Sequence, residues 1–217
     1  MISIIVPCYL LPDKDCELLT FTQNFVKSLR THVKVCYELI LVDNGSPIGG
    51  EYLREQADVY VRNPTNLGFA PAVNQGLKIA RGDWLVVSNN DIEFMHDWPH
   101  AAISAWVDGV GAISSHLHDS DPEHKVGIEL APWGHMFGAL WLTRRDVLDR
   151  IGYLDETYER GMFEDKDFWR RLQSAGYKFR KVGWCKHIGN ATWGKLPHQQ
   201  EIYLANRDRY IAKWDDG

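Results

Sequence analysis

The spacing of hydrophobic positions changes several times along the chain, and each change marks an element. Ile2-Ser-Ile-Ile-Val6 is a short β-branched run stopped by Pro7, which reads as a strand running into a loop. Leu18, Leu19, Phe21, Phe25, Val26 and Leu29 then recur at helical spacing and predict a helix over residues 15–31. A second apolar run, residues 37–42, stops at Asp43-Asn-Gly-Ser46. A short helix over 51–56, a short strand over 59–61 and a loop over 63–68 follow. Pro71 opens a helix through Ala80, because proline suits a first helical turn. Trp84-Leu-Val-Val87 is the next buried strand, and it ends abruptly in Ser88-Asn89-Asn90-Asp91. Strand and helix in alternation predict an α/β fold with a mostly parallel sheet flanked by helices. Ligands of such sheets sit beyond the carboxyl ends of the strands, where Asp43 and Asp91 both fall.

The pattern loosens after Asp97. Residues 98–107 look helical and 110–115 strand-like. Residues 116–125 form a polar stretch of His, Asp and Ser, read as a surface loop rather than a metal site. Residues 128–142 hold a glycine-punctuated aromatic stretch, and Thr143 is placed to cap a helix over 144–151 ended by Gly152. Phe168, Trp169 and Leu172 set a helix that begins near Glu164. Acids in a first turn satisfy the helix dipole, which is the plain reading of Glu164, Asp165 and Asp167. The functional reading is that a carboxylate fixed at a helix N-terminus is a rigidly placed general base. Residues 178–186 alternate charged and apolar positions like an edge strand. His187 opens a glycine-rich loop, and residues 199–214 form a last helix with Tyr203, Tyr210, Ile211 and Trp214 on one face.

Composition narrows the function classes. At 217 residues and 45% hydrophobic, the chain can bury one sizeable core. A net charge of −5 without a basic block argues against nucleic acid or an acidic membrane surface as partner. No apolar run approaches the roughly 20 residues needed to span a bilayer, and the N-terminus lacks a signal-peptide pattern. Four cysteines without CxxC spacing read as free thiols of a reducing cytoplasm, so a soluble cytoplasmic protein, or one catalytic domain of a longer polypeptide, is expected. The GxGxxG and phosphate-loop patterns are absent after the first strand, which argues against a dehydrogenase or a P-loop NTPase. Nine Trp, nine Tyr and eight Phe, several beside polar loops, suit sugars as well as protein partners.

Read together, the motifs resemble glycosyltransferase family 2, especially its rhamnosyltransferase-like members. They are Val6-Pro7, Val42-Asp-Asn-Gly-Ser46, Asn66-Leu-Gly-Phe-Ala70 with Asn74-Gln-Gly76, Ala80-Arg-Gly-Asp83, Asn89-Asn-Asp91, Gly138, Phe163-Glu-Asp-Lys-Asp167 and His187, in that order. The resemblance spans residues 2–190, and the final helix with Asn206 and Tyr210 is also similar. It implies a single GT-A domain over 1–217, with a mixed, mostly parallel Rossmann-like sheet. Residues 1–91 would bind a nucleotide-sugar and residues 92–217 the acceptor.

The implied roles follow the same motifs. Pro7 and Tyr9 would border the nucleotide, and Asp43 would bind the base, most often uracil. Asn66, Gly68 and Phe69 would approach the nucleotide or sugar, with Arg81 and Asp83 in the same pocket. Asn89, Asn90 and Asp91 occupy the family's DxD position, where Asp91 would meet a divalent metal, Mn²⁺ or Mg²⁺, that His187 completes. Asp165 would be the catalytic base. Apart from the motifs, Trp133, His135, Met136 and Trp193 are candidates for the acceptor pocket or equally for the core, and Glu164 is a further acceptor candidate. The implied activity is an inverting, metal-dependent transfer of a sugar, with rhamnose among the candidates, from a nucleotide-diphosphate-sugar to a hydroxyl of a glycan or other acceptor. The first DxD position is Asn89, and an amide adds no charge to a cation site, so either metal affinity is modest or Lys186 or Lys195 shares in neutralising the diphosphate. Two other classes stand beside this one: a nucleotidyltransferase that makes nucleotide-sugars, and a non-catalytic sugar-binding module. The first lacks a glycine-rich basic loop after the first strand, and the second should ignore nucleotides.

Overall fold

The computed structural model describes residues 1–12, 17–117, 129–130, 136–189 and 192–214. Four parallel strands carry its first half: β1 (Ile2–Cys8), β2 (Tyr37–Asp43), β3 (Val59–Arg62) and β4 (Trp84–Ser88). They are joined by α1 (Glu17–His32), α2 (Gly50–Gln56) and α3 (Phe69–Ile79). Beyond β4 come β5 (Ile92–Phe94), α4 (Trp98–Ser104), β6 (Val110–Leu117), β7 (Glu129–Leu130), β8 (Leu140–Arg144), α5 (Arg145–Ile151), α6 (Glu164–Ser174), β9 (Lys178–His187), a 3₁₀ turn (Trp193–Lys195) and α7 (Gln199–Trp214). One mixed sheet runs in the order β3-β2-β1-β4-β8-β6-β9-β5, with β7 also on β9. The expected α/β class with a mostly parallel first half is what the chain forms.

Two apolar layers hold the sheet. Phe25, Leu29, Phe94 and Trp98 pack on one face with inward residues of β1 and β2, while Val73, Leu77, Trp141, Phe168 and Trp169 fill the other. Even and odd positions of β1 and β4 alike are therefore buried, except the half-buried Pro7 and Trp84, as expected of strands covered on both sides. No helix among the described residues is long and apolar enough to cross a membrane.

Three expectations change. β8 was hidden in the aromatic glycine-rich stretch, because Leu140-Trp-Leu-Thr is a continuous apolar run without alternation. It lies antiparallel between β4 and β6, with Val86 opposite Leu142 and Ile113 opposite Leu142 on the other side. Thr143 belongs to this strand and caps no helix: its hydroxyl donates to the Gly111 carbonyl at 2.7 Å. Arg145 fixes the boundary, since its N–H donates to the Asp83 carbonyl and its guanidinium to those of Ala80 and Gly82. Finally, β9 is no edge. It is sandwiched between β6 and the β5 and β7 segments, and Phe179, Val182 and Cys185 are buried. Cys8, Cys36 and Cys185 are free thiols, and Cys16 lies outside the described residues.

The small residues of α3 let it sit close on β1. A Cβ at Gly76 would overlap the side chain of Ile5, which is fully buried in β1 and cannot swing away. On an exposed helix, Gly→Ala gains about 1 kcal/mol in propensity. Here overpacking should reverse the sign, so Gly76→Ala is expected to lose about 1–3 kcal/mol in a denaturant titration. A gain in stability would show that α3 does not approach β1 this closely.

Candidate active site

A cleft of about 430 Å³ opens where β1 and β4 end. Its walls are Pro7 and Phe69, the Asn89–Asp91 turn, residues 136–139 leading into β8, the 160–162 turn, the start of α6, His187 and the Thr192–Leu196 segment. Asp91 and Asp165, 74 positions apart in sequence, thus share one cavity.

On the β4 wall, the turn after the strand is held by its backbone. The Asn89 N–H donates to the Ala139 carbonyl at 2.8 Å, and the Asn90 amide turns away to the Thr22 hydroxyl at 2.9 Å. Asp91 Oδ2 accepts the Gly189 N–H at 3.2 Å. Asp91 Oδ1 lies 3.2 Å from His187 Nε2, yet neither atom has a hydrogen-bond partner, although both side chains are largely buried. The His187 ring is fixed edge-on against Phe137 at 5.2 Å. Leaving two buried polar atoms unpaired costs free energy. A carboxylate oxygen and an imidazole nitrogen facing one point are the donors of a divalent-cation site, and a cation there would satisfy both. The residues therefore fit the metal that the DxD position implies. Among the described residues no group of three or more metal-binding side chains occurs, so the remaining ligands would come from substrate or water.

The facing wall is the start of α6. Residues 160–163 all have positive φ: Arg160 61°, Gly161 139°, Met162 73° and Phe163 74°. The fully buried Asn206 of α7 holds this turn. Its amide donates to the Glu159 and Gly161 carbonyls at 2.9 and 2.8 Å, and its oxygen accepts the Glu159 N–H at 3.1 Å. The turn delivers Glu164 and Asp165 to the cleft. Asp165 accepts the Lys166 N–H at 2.7 Å and lies against Gly138, where a Cβ would overlap its carboxylate. Burial raises the Asp165 carboxyl above the usual range, and the Lys166 N–H and charge pull it partly back. Glu164 is buried with Oε2 unpaired. Burial, and then the charge of Asp165, push its carboxyl up to about 8, so it is neutral at pH 7. Asp167 points elsewhere, to Arg171 at 2.8 Å and the Trp214 indole N–H at 2.9 Å.

The sequence-expected residues divide three ways. Pro7, Phe69, Asn89, Asn90, Asp91, Met136, Glu164, Asp165, His187 and Trp193 line the cleft, while Tyr9 and Asn66 line a cavity of about 70 Å³ that shares Pro7, Phe69 and Arg160 with it. Gly68 shapes the loop between, with φ 103° and the Asn44 amide on its carbonyl. Three expected pocket residues lie elsewhere. Arg81 and Asp83 precede β4, so they sit at the amino edge of the sheet, a strand's length from Asp91. Arg81 pairs there with Glu38 at 2.7 Å, and Asp83 is exposed. Asp43 has no exposed side-chain surface and lines neither cavity. Its oxygens take the Ser46 N–H, the Tyr60 hydroxyl and the Arg62 guanidinium, so it ties β2 to β3. Trp133 and His135 lie outside the described residues. Lys186 and Lys195, expected near the diphosphate, pair with Glu93 and Glu17. Sequence reasoning missed Arg160, which lines both cavities, and the holding role of Asn206.

The sequence profile described as glycosyl transferase family 2 matches residues 3–129, more than half of the chain. The chain belongs to glycosyl transferase family 2. Its fold is that of several solved GT-A glycosyltransferases. The mannosyltransferase PcManGT from Pyrobaculum calidifontis, solved with GDP-Man and Mn²⁺, superposes with a TM-score of 0.70 at 16% identity over 98% of this chain and 63% of that one. S. aureus TarS 1–349 gives 0.65 at 15% over 97% and 72%, and GalNAc-T7 with UDP, GalNAc and Mn²⁺ gives 0.76 at 16% over 100% and 48%. This family 2 chain therefore spans under two thirds of the mannosyltransferase and about half of GalNAc-T7. No curated protein matches it in sequence.

Two measurements test the α6 wall. Asn206→Ala leaves backbone groups of the 159–161 turn unsatisfied, at about 1–3 kcal/mol each, and a denaturation midpoint unchanged from wild type would mean the turn stands without it. For Glu164, the folded carboxyl at about 8 lies above its ordinary 4.5. Between those pH values the native state keeps a proton that the unfolded chain releases, so stability falls as pH rises through the window. Glu164→Gln removes that slope. The melting temperature of the variant minus that of wild type should grow from pH 5 to pH 8, and a constant difference would place Glu164 in water instead.

Proposed function

We propose that this domain catalyses inverting, metal-dependent transfer of a sugar from a nucleotide-diphosphate-sugar to a hydroxyl of a glycan or other acceptor. Asp91 with His187 on one wall of a single cleft, and Asp165 on the facing wall, carry the reading. Residues 1–91 hold the donor on this reading, and residues 92–217 the acceptor.

A glycosyl transfer puts negative charge on the departing diphosphate and positive charge on the sugar ring, and it must remove a proton from the attacking hydroxyl. Asp91 Oδ1 and His187 Nε2 would hold Mn²⁺ or Mg²⁺, which supplies charge stabilisation to the leaving diphosphate. Asp165 takes the acceptor proton. Its raised carboxyl makes it a stronger base than a solvated aspartate. Neutral Glu164 beside it offers an O–H donor to a sugar hydroxyl without adding a second negative charge. Phe69 and Trp193 supply aromatic faces for the apolar side of a sugar ring. One displacement with one base inverts the anomeric centre. UDP is the favoured nucleotide and rhamnose a candidate sugar, on the resemblance of the sequence motifs. The UDP complexes of TarS and GalNAc-T7, which share the fold, agree with the former. A soluble cytoplasmic enzyme of polysaccharide synthesis is the setting that fits.

A screen of nucleotide-sugars for transfer or slow hydrolysis identifies the donor. With that donor, Asp165→Asn should lower kcat roughly 10²–10⁴-fold while nucleotide affinity stays that of wild type. His187→Ala should instead raise the Mn²⁺ concentration required for half-maximal rate. Full activity of Asp165→Asn would remove the proposed base. Release of pyrophosphate from UTP and a sugar phosphate would make the protein a nucleotidyltransferase.

A further inference from the structure

We propose that Arg160 grips the diphosphate of the donor, as the bridge between a nucleoside pocket and the transfer cleft. The inference rests on the nucleotide-sugar reading above and names a cation that reading does not contain.

Three independent observations place it. First, Arg160 lines both the 430 Å³ cleft and the 70 Å³ cavity that holds Tyr9 and Asn66. In a nucleotide-sugar the group joining the nucleoside to the transferred sugar is the diphosphate, so a residue common to both cavities stands at that junction. Second, no other Lys or Arg lines either cavity among the described residues, and Lys186 and Lys195 are held by Glu93 and Glu17. The guanidinium itself has no carboxylate partner among the described residues. Its Nη1 donates to the Asn66 carbonyl at 2.6 Å, which leaves most of its five N–H donors for a ligand. Third, its backbone is held where it is at a conformational cost. Arg160 is left-handed at φ 61°, its carbonyl accepts the Phe69 N–H at 3.3 Å, and its N–H edge abuts Gly68. A non-glycine residue pays about 1–2 kcal/mol to sit there, and strain of this kind collects where a side chain must be aimed.

The chemistry suits phosphate. A guanidinium presents a planar fork that matches two phosphate oxygens, and it stays charged at every working pH. It also answers the departure at Asn89. An amide at that position contributes no charge to a metal site, so part of the compensation of the diphosphate falls to a direct protein cation.

Calorimetry with UDP, GDP and dTDP, each paired with its nucleoside, in Mn²⁺ separates the outcomes. For the diphosphate that wild type binds best, Arg160→Gln should weaken affinity roughly tenfold to a hundredfold and leave the nucleoside unchanged, with Arg160→Lys recovering part of the loss. Equal weakening of diphosphate and nucleoside would make Arg160 a scaffold of the Asn66 loop and overturn the proposal. So would an unchanged diphosphate affinity, or a loss seen only in acceptor KM. If wild type binds none of the three diphosphates, the transferase reading itself fails, and this inference with it.

Discussion

Much of the cleft depends on how the chain turns into α6. Four successive residues there take positive φ, and only one is glycine. Such residues cost on the order of 1–3 kcal/mol each, so the turn exists only because neighbours over-determine it. Asn206 does most of this, reaching from α7 to occupy three backbone groups at once. Phe163 adds to it by packing between Tyr203 and Tyr210, with ring centroids at 5.2 and 5.6 Å. The result is a helix whose first residues face inward across the cleft. A relaxed loop would give α6 the same sequence and a different phase.

Phase is what separates the three acids of that helix. Successive residues differ by about 100° around an α-helix. Asp165 and Asp167 thus stand about 160° apart, with Glu164 between them; Glu164 and Asp165 line the cavity, and Asp167 turns to Arg171, Trp214 and Lys213. The dipole explanation for acids in a first turn holds for all three, and it does not distinguish them. Environment does. Asp167 is saturated by donors, Glu164 is buried with Oε2 unpaired, and Asp165 has the Lys166 N–H on its carboxylate and a glycine in front of it. Two neighbouring buried carboxyls of this kind cannot both ionise easily.

The elements were legible where periodicity was strong. The parallel half, the start of α6 near Glu164 and the last helix follow from spacing alone, and the motif order carried the family. Legibility failed where tertiary partners decide. Leu140-Trp-Leu-Thr has no alternation because both its faces are covered, so nothing marked it as a strand. The alternation of residues 178–186 looked like an edge because charged residues at the surface of β9 mimic solvent-facing positions. Arg81 and Asp83 stand ten and eight residues before Asp91 and were assigned its pocket. A strand of five residues in between spans roughly 17 Å, which puts them on the opposite edge. Asp43 showed a carboxylate at a strand end, and no local signal said that Tyr60 and Arg62 from the next strand would claim it. Arg160 lies in a stretch without period, so only the fold could bring it beside Asn66.

The two walls of the cleft are not independent, and β8 is the reason. It is antiparallel to β4, and the turn after β4 donates the Asn89 N–H to the Ala139 carbonyl just before β8 begins. The neighbouring residue, Gly138, abuts Asp165 on the facing wall. The Asp91 wall and the Asp165 wall are thus spaced by a backbone hydrogen bond and one glycine. Backbone ladders hold distances that rotamers cannot, and positioning within a fraction of an ångström is what transfer between two bound molecules requires. Substitutions of the cleft's side chains should therefore change charge and affinity while the walls keep their separation. A side chain at Gly138 would force that separation to open. The glycine in the aromatic stretch is accordingly a constraint on the geometry of the cleft, more than a loop residue between two strands.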